Sequence, residues 1–118
     1  MSDEVFAKRA LQNDVLRIDT GKMLDNNNAH EMVATINEAL EAGYHHIILD
    51  MGHLEFLSSA GVGSILGTVE MARRAGGDII LCDASPTILH VLEVLDLSDY
   101  LTIKADREEA AAVCGMKD

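Results

Sequence analysis

Two adjacent hydroxyls, Ser58 and Ser59, open a segment crowded with small residues: Ser58-Ser59-Ala60-Gly61-Val62-Gly63-Ser64-Ile65-Leu66-Gly67. Val62, Ile65, Leu66, Val69 and Ala72 recur at helical spacing, which predicts a helix starting close to the serines. At a helix start the first backbone N–H groups have no intrahelical partner. A hydroxyl placed there can cap the helix, attack a substrate as a nucleophile, or accept a phosphoryl group. Capping is the expected role of Ser58. A nucleophile needs a base and an orienting acid, yet the surroundings are not the G-x-S-x-G elbow and no histidine is placed by sequence to serve either serine. No enzyme activity is expected, and no catalytic residue is assigned. Phosphate on Ser59 fits better. It would meet free N–H donors and the positive end of the helix dipole, and it would add about −1.5 to −2 charge to the surface.

The glycines point to the same place. Each Gly inside a helix costs about 1 kcal/mol relative to Ala, and this helix holds Gly61, Gly63 and Gly67. Gly63 and Gly67 stand one turn apart and are expected to clear a flat strip. Locally unfavourable choices made repeatedly mark either a functional surface or a close approach of helix to sheet.

The elements that must position this segment are readable around it. His45-His46-Ile47-Ile48-Leu49-Asp50 and Asp78-Ile79-Ile80-Leu81-Cys82-Asp83 are continuous apolar runs, the pattern of parallel strands covered on both faces. With the helix between them they predict a βαβ unit. That helix ends in Arg73-Arg74, which complements the negative end of its dipole, and Gly76-Gly77 is a turn. Upstream, Val5 to Leu11 and Val15 to Asp19 flank Gln12-Asn13-Asp14 and predict a β-hairpin. Asn28 with Glu31 three residues later has capping-box spacing. Met32, Val33, Ile36 and Leu40 then share a helical face, and Gly43 provides a stop. Downstream, Ser85 is a natural N-cap and Pro86 fits the first helical position. Ile88, Val91, Leu92 and Leu95 share a face of that helix, with Ile88, Val91 and Leu92 as core. A short strand from Tyr100 to Ile103 and a last helix capped by Asp106, through Ala110 to Val113, complete the order.

The chain has 118 residues, nine basic and twenty acidic, for a formal net charge of −11. Such an acidic chain, with aromatics at 3% and no Trp, lacks the basic and stacking surface that nucleic acid requires. It also lacks a basic cluster for an anionic membrane surface. No nucleic-acid or membrane partner is expected. The N-terminus carries charges where a signal peptide needs apolar residues, and no run approaches transmembrane length. The two cysteines, Cys82 and Cys114, are too few for a disulfide framework. A cytoplasmic protein with reduced thiols is expected.

No metal or cofactor is expected either. His45 and His46 are neighbours in a strand and point to opposite faces, while His30, His53 and His90 have no paired spacing. Asp25 with the three following asparagines lacks the alternation of a calcium loop and is expected to be a helix-entry turn. No Walker-type glycine loop follows a strand, which argues against a nucleotide-binding enzyme.

The run D-x-x-x-L-x-F-L-S-S-A-G-V-G, from Asp50 through Leu54 and Phe56 to Gly63, resembles the core motif of the STAS domain of sulfate transporters and anti-sigma factor antagonists. The resemblance extends to Gly21 and Leu24-Asp25 before the first helix, to Gly76-Gly77 with Ile79-Ile80-Leu81, and to Ser85-Pro86. It implies an α/β fold, a single layer of mostly parallel four- to five-stranded sheet with about four helices packed on it and an N-terminal β-hairpin, in one domain over residues 1–118. Stand-alone bacterial members of that family bind an anti-sigma factor, a serine kinase of the GHKL type, and displace the sigma factor from it. The kinase phosphorylates one serine at this helix start and ends the association, and a serine phosphatase restores it. Carried over, the resemblance makes Ser59 the acceptor. Ser58, standing where many antagonists have Asp, is the competing one. The partner-binding surface would comprise Asp25, Asn26, Ser58, Ser59, Gly61, Gly63 and Gly67. A partner-switching regulator of transcription, monomeric or a weak dimer, is the expectation. The alternative on the same fold is the STAS subunit of a lipid transporter or another scaffold, binding a nucleotide-binding partner without phosphorylation.

Overall fold

Ile47, Ile48 and Leu49, and likewise Ile79, Ile80 and Leu81, are all buried, because each run is covered on both sides of a sheet. The computed structural model describes residues 6–115. Its main sheet has the order β1-β2-β4-β6-β7, formed by β1 (Lys8–Ala10), β2 (Val15–Asp19), β4 (His46–Asp50), β6 (Asp78–Cys82) and β7 (Thr102–Lys104). β4 pairs in parallel with β2 on one side and β6 on the other, with Ile48 level with Arg17 and Ile80. Only β1 runs antiparallel to its neighbour.

Side chains alternate across this sheet. Leu16, Ile18, Ile47, Leu49, Ile79 and Leu81 join the larger core with Met32, Ile36, Ile65, Val69, Ile88 and Leu92. Those last six come from α1 (Ala29–Glu41), α2 (Ser59–Arg74) and α3 (Pro86–Val94). The opposite face, with Val15, Ile48, Ile80 and Cys82, is closed by Ala110 of the short α4 (Arg107–Val113). Among the described residues the α-helices thus lie on both faces of the sheet, three against one. No helix among the described residues is long and apolar enough to cross a membrane.

The hairpin, the βαβ unit and the caps at Ser85 and Asp106 form as the sequence implies. The Ser85 hydroxyl accepts from the Ile88 amide at 3.2 Å, and Asp106 Oδ1 from the Glu109 amide at 2.9 Å. The first strand is shorter than expected, and Val5 lies outside the described residues. Gln12–Asp14 forms a 3-10 turn, with Asp14 at φ 58°. Gly77 sits where a Cβ would stand 1.6 Å from the His45 carbonyl oxygen, so only Gly lets the chain enter β6 there.

Two expectations are corrected and two features are added. Asn28 starts α1, but its side chain makes no cap hydrogen bond, because both of its polar atoms are used in the preceding turn. Leu95 follows α3 and is 49% exposed, and Val94 is 69% exposed. Five apolar positions in so short a helix exceed what one buried face can cover, and Ile88 and Leu92 take that face. A second sheet, absent from the sequence reading, pairs β3 (Met23–Leu24) in parallel with β5 (Phe56–Leu57). Finally, Arg73 does more than complement a dipole. Its guanidinium donates to Asp78 Oδ1 at 3.0 Å and to the Tyr100 carbonyl at 2.8 Å, and lies 4.8 Å from the Tyr100 ring centroid. Arg74 pairs with Glu70 on the exposed side.

Candidate functional site

The β3–β5 pair carries the chain from the sheet to the start of α2, and the site is built on that junction. Ser58 has extended backbone (φ −88°, ψ 173°) and is the N-cap. Its hydroxyl accepts from the Gly61 amide at 3.2 Å and donates to Asn26 Oδ1 at 3.5 Å. Its own amide donates to the Leu24 carbonyl at 3.0 Å. Ser59 is the first helical residue and is exposed. Among the described residues its hydroxyl has no hydrogen-bond partner.

Gly61 is buried, and a Cβ there would stand 2.3 Å from the Leu24 carbonyl oxygen. Its glycine is therefore a close-approach glycine, facing the end of β3 rather than the main sheet. Gly63 and Gly67 differ: both are exposed, and a Cβ on either would meet nothing within 4 Å. They leave the open strip that their spacing suggests.

The turn before α1 stands beside this junction. Asp25 Oδ1 accepts from the Asn27 amide at 2.9 Å. Asn28 Oδ1 accepts from the Asp25 amide at 2.9 Å, while its side-chain nitrogen donates to the Met23 carbonyl at 2.9 Å. Asn26 and Asn27 are exposed. Of the seven residues named from sequence, Asn26, Ser58, Ser59 and Gly61 come together at this junction. Asp25 is one bond behind, fastened by its neighbours, and Gly63 and Gly67 extend along α2.

Two apolar features border the site and were missed. Met23 and Phe56 are cross-strand partners, 54% and 52% exposed. On the other side, a groove of about 430 Å³ runs between α2 and α3, lined by Leu57, Val62, Val91, Val94 and Leu95 together with the polar Ser58, Ser59 and His90. The surplus of apolar residues in α3 is the sequence signal that could have found it.

Elsewhere, Asp50, Cys82 and Asp83 bring two carboxylates and a thiol within 4.8 Å of one another. Burial, then repulsion by Asp50 and Asp83, pushes the Cys82 thiol up to about 12, which keeps it protonated at neutral pH. The Cys114 thiol is also raised, by burial and then by Asp78. His53 pairs with Asp19 at 3.0 Å.

The family model for the STAS domain matches residues 8–110. Over 87 residues the chain is 34% identical to BtrV of Bordetella bronchiseptica, a candidate anti-sigma factor antagonist, with 72% of each chain covered. It is 28% identical over 90 residues to the anti-sigma F factor antagonist of Paenibacillus polymyxa, covering 75% of this chain and 77% of that one. Among solved structures, the unphosphorylated form of the anti-sigma factor antagonist SpoIIAA matches with a TM-score of 0.80 at 25% identity, covering 97% of this chain and all (100%) of that one. Bacillus SpoIIAA in its phosphorylated form matches with a TM-score of 0.72 at 25% identity, covering 92% and 99%.

Proposed function

The chain belongs to the STAS domain family, and on that premise we propose that it is an anti-sigma factor antagonist whose binding is switched by phosphorylation of Ser59. In this reading the unmodified chain, one STAS domain over residues 1–118, docks on an anti-sigma factor that is a GHKL-type serine kinase. The docking displaces the sigma factor. The kinase then transfers the γ-phosphoryl group of ATP to the Ser59 hydroxyl: the new Oγ–P bond forms as the bond to ADP breaks, and the hydroxyl proton passes to a base on the kinase. A serine phosphatase hydrolyses the ester and resets the chain. A partner that uses ATP puts this cycle in the cytoplasm. The chain itself supplies an acceptor and a surface and performs no catalysis.

The observation that carries the choice of residue is the difference between two neighbouring hydroxyls. That of Ser58 is held in the cap and against Asn26, whereas that of Ser59 is exposed and unpartnered among the described residues. The cap also accounts for Ser at a position where many antagonists carry Asp, since both residue types accept from the amides of the first turn. Phosphate on Ser59 would lie at the N-terminus of a helix of 16 residues, where free amides and the dipole favour an anion. The same dianion buried against a partner without a counter-charge costs on the order of 2–5 kcal/mol. At about 1.4 kcal/mol per decade that is tens- to thousands-fold in affinity, enough for a switch.

The test is phosphosite mass spectrometry after incubation with ATP and an extract of the source cell. A single phosphate on Ser59 supports the reading. Phosphate on Ser58 moves the acceptor, and no phosphate at all favours the constitutive transporter-subunit use of the fold.

A further inference from the structure

Asn28 holds the N-cap position of α1, yet it withholds its side chain from that helix. The other three α-helices among the described residues receive a side-chain cap, from Ser58, Ser85 and Asp106. Asn is among the strongest capping residues, so a cap position whose side chain bonds elsewhere is a local preference overridden. The side chain goes backwards. Oδ1 takes the Asp25 amide and the side-chain nitrogen gives to the Met23 carbonyl, both at 2.9 Å. Asp25 in turn closes on the Asn27 amide. The segment from Met23 to Asn28 is thereby folded on itself by side-chain bonds, which add to the Asn28 and Ala29 amides donating to the Asp25 carbonyl at 3.2 and 2.9 Å. It is also fastened to α2, because the Leu24 carbonyl accepts from the Ser58 amide at 3.0 Å and abuts Gly61. The outcome is that Asn26 meets the Ser58 hydroxyl, one residue from Ser59.

We propose that Asn28 is a positioning residue for phosphorylation: it locks the Asp25–Asn26 turn against the N-terminus of α2, so that turn and acceptor serine meet the kinase as one preformed surface. The proposal rests on the reading of Ser59 as the acceptor. Without the lock the turn keeps its backbone bonds to the Asp25 and Leu24 carbonyls but loses those that fix Asp25 against Met23, so the partner would have to order that part on binding, and the ordering subtracts from affinity. Ser59 itself is untouched, so the transfer step keeps its rate.

The experiment compares the full chain with Asn28→Ala and Asn28→Asp in two measurements. The first is amide hydrogen exchange by NMR, read at Asp25, whose amide bonds to the Asn28 side chain. The second is the initial rate of Ser59 phosphorylation as a function of chain concentration, with ATP and an extract of the source cell as the kinase supply. Circular dichroism and Tm verify folding. Asn28→Ala is expected to lose protection at the Asp25 amide and to raise KM about tenfold with kcat unchanged. Asn28→Asp keeps an acceptor for that amide and loses the donor to Met23. It should retain the protection and show a smaller rise in KM, and it serves as the informative variant if Asn28→Ala does not fold. Retained protection at Asp25 in Asn28→Ala, or an unchanged KM once the amide is released, overturns the proposal. Failure of the unsubstituted chain to take phosphate overturns the Ser59 reading instead, while the Asp25 amide still decides whether Asn28 holds the turn.

Discussion

Gly61 lies so close to Leu24 that a Cβ on it would stand 2.3 Å from the Leu24 carbonyl oxygen. That carbonyl also accepts from the Ser58 amide, so it cannot retreat without releasing the α2 N-terminus. Gly61→Ala is therefore expected to destabilise the fold by about 1–3 kcal/mol, the usual cost of forcing an extra carbon into a packed site. Gly67→Ala faces open space and should stabilise by about 0.5–1 kcal/mol through helix propensity. Urea denaturation of the two variants checks the pair. Equal effects of the same sign would mean that the approach of Gly61 to β3 is not what constrains the residue.

The two serines should separate in the same way. Ser58→Ala removes the N-cap and is expected to lower stability by about 1 kcal/mol. Ser58→Asp keeps an oxygen for the Gly61 amide and should recover most of that loss. Ser59→Ala removes an exposed hydroxyl and should stay within about 0.5 kcal/mol of the parent, while abolishing phosphate incorporation. Denaturation midpoints combined with intact-mass measurement after kinase treatment read both effects. A Ser59→Ala chain that still gains phosphate would reassign the acceptor.

How much of this was legible beforehand depends on the range of the interactions. The apolar runs of β4 and β6, the helical period of α2 and the caps at Ser85 and Asp106 are local patterns, and each reads directly. β3 and β5 have two residues each and no periodicity to detect, and they exist because the chain on either side brings them together. Asn28 was misread for a related reason. The short amide that caps a helix also closes a turn, and which bond forms depends on the carbonyl of Met23 and the amide of Asp25. Gly61 and Gly63 look equivalent in the sequence, and only the position of Leu24 separates a close-approach glycine from an open one. Ser59 was legible as a candidate because its neighbours mark a helix start. The apolar groove beside it left only one local trace, the surplus of apolar residues in α3, since joining that helix to α2 takes the tertiary fold.

The Cys82 thiol gives a prediction in pH. Burial, then Asp50 and Asp83, raise it from an ordinary value of 9.0 to about 12. Between those values the unfolded chain has released a proton that the folded chain still holds, so stability falls as pH rises. The contribution is fully present below pH 9.0 and is lost progressively toward about 12. Urea midpoints at neutral pH and at about pH 10.5 should therefore drop more for the parent than for Cys82→Ala. Both are measured in a Cys114→Ser background, because the second thiol is raised as well. Identical drops would show that Cys82 ionises in the folded chain.

The glycine strip of α2 supplies the prediction that separates surface from scaffold. Gly63 is exposed, and a Cβ there meets nothing within 4 Å, so no packing contact among the described residues explains the absence of a side chain. A helix that gives up about 1 kcal/mol of propensity at such a position gains nothing internally. In the proposed reading the gain lies in an approaching partner surface that needs the clearance. Gly63→Leu is therefore expected to leave the Tm unchanged or raised, and to slow Ser59 phosphorylation about tenfold, the equivalent of about 1.4 kcal/mol of lost contact with the kinase. Gly63→Ala should fall between the parent and Gly63→Leu in rate while being the more stable of parent and Ala forms. The rates are read by intact mass under limiting chain concentration. A Gly63→Leu chain phosphorylated as fast as the parent would remove α2 beyond its first turn from the partner-facing surface and confine recognition to Asn26, Ser58 and Ser59.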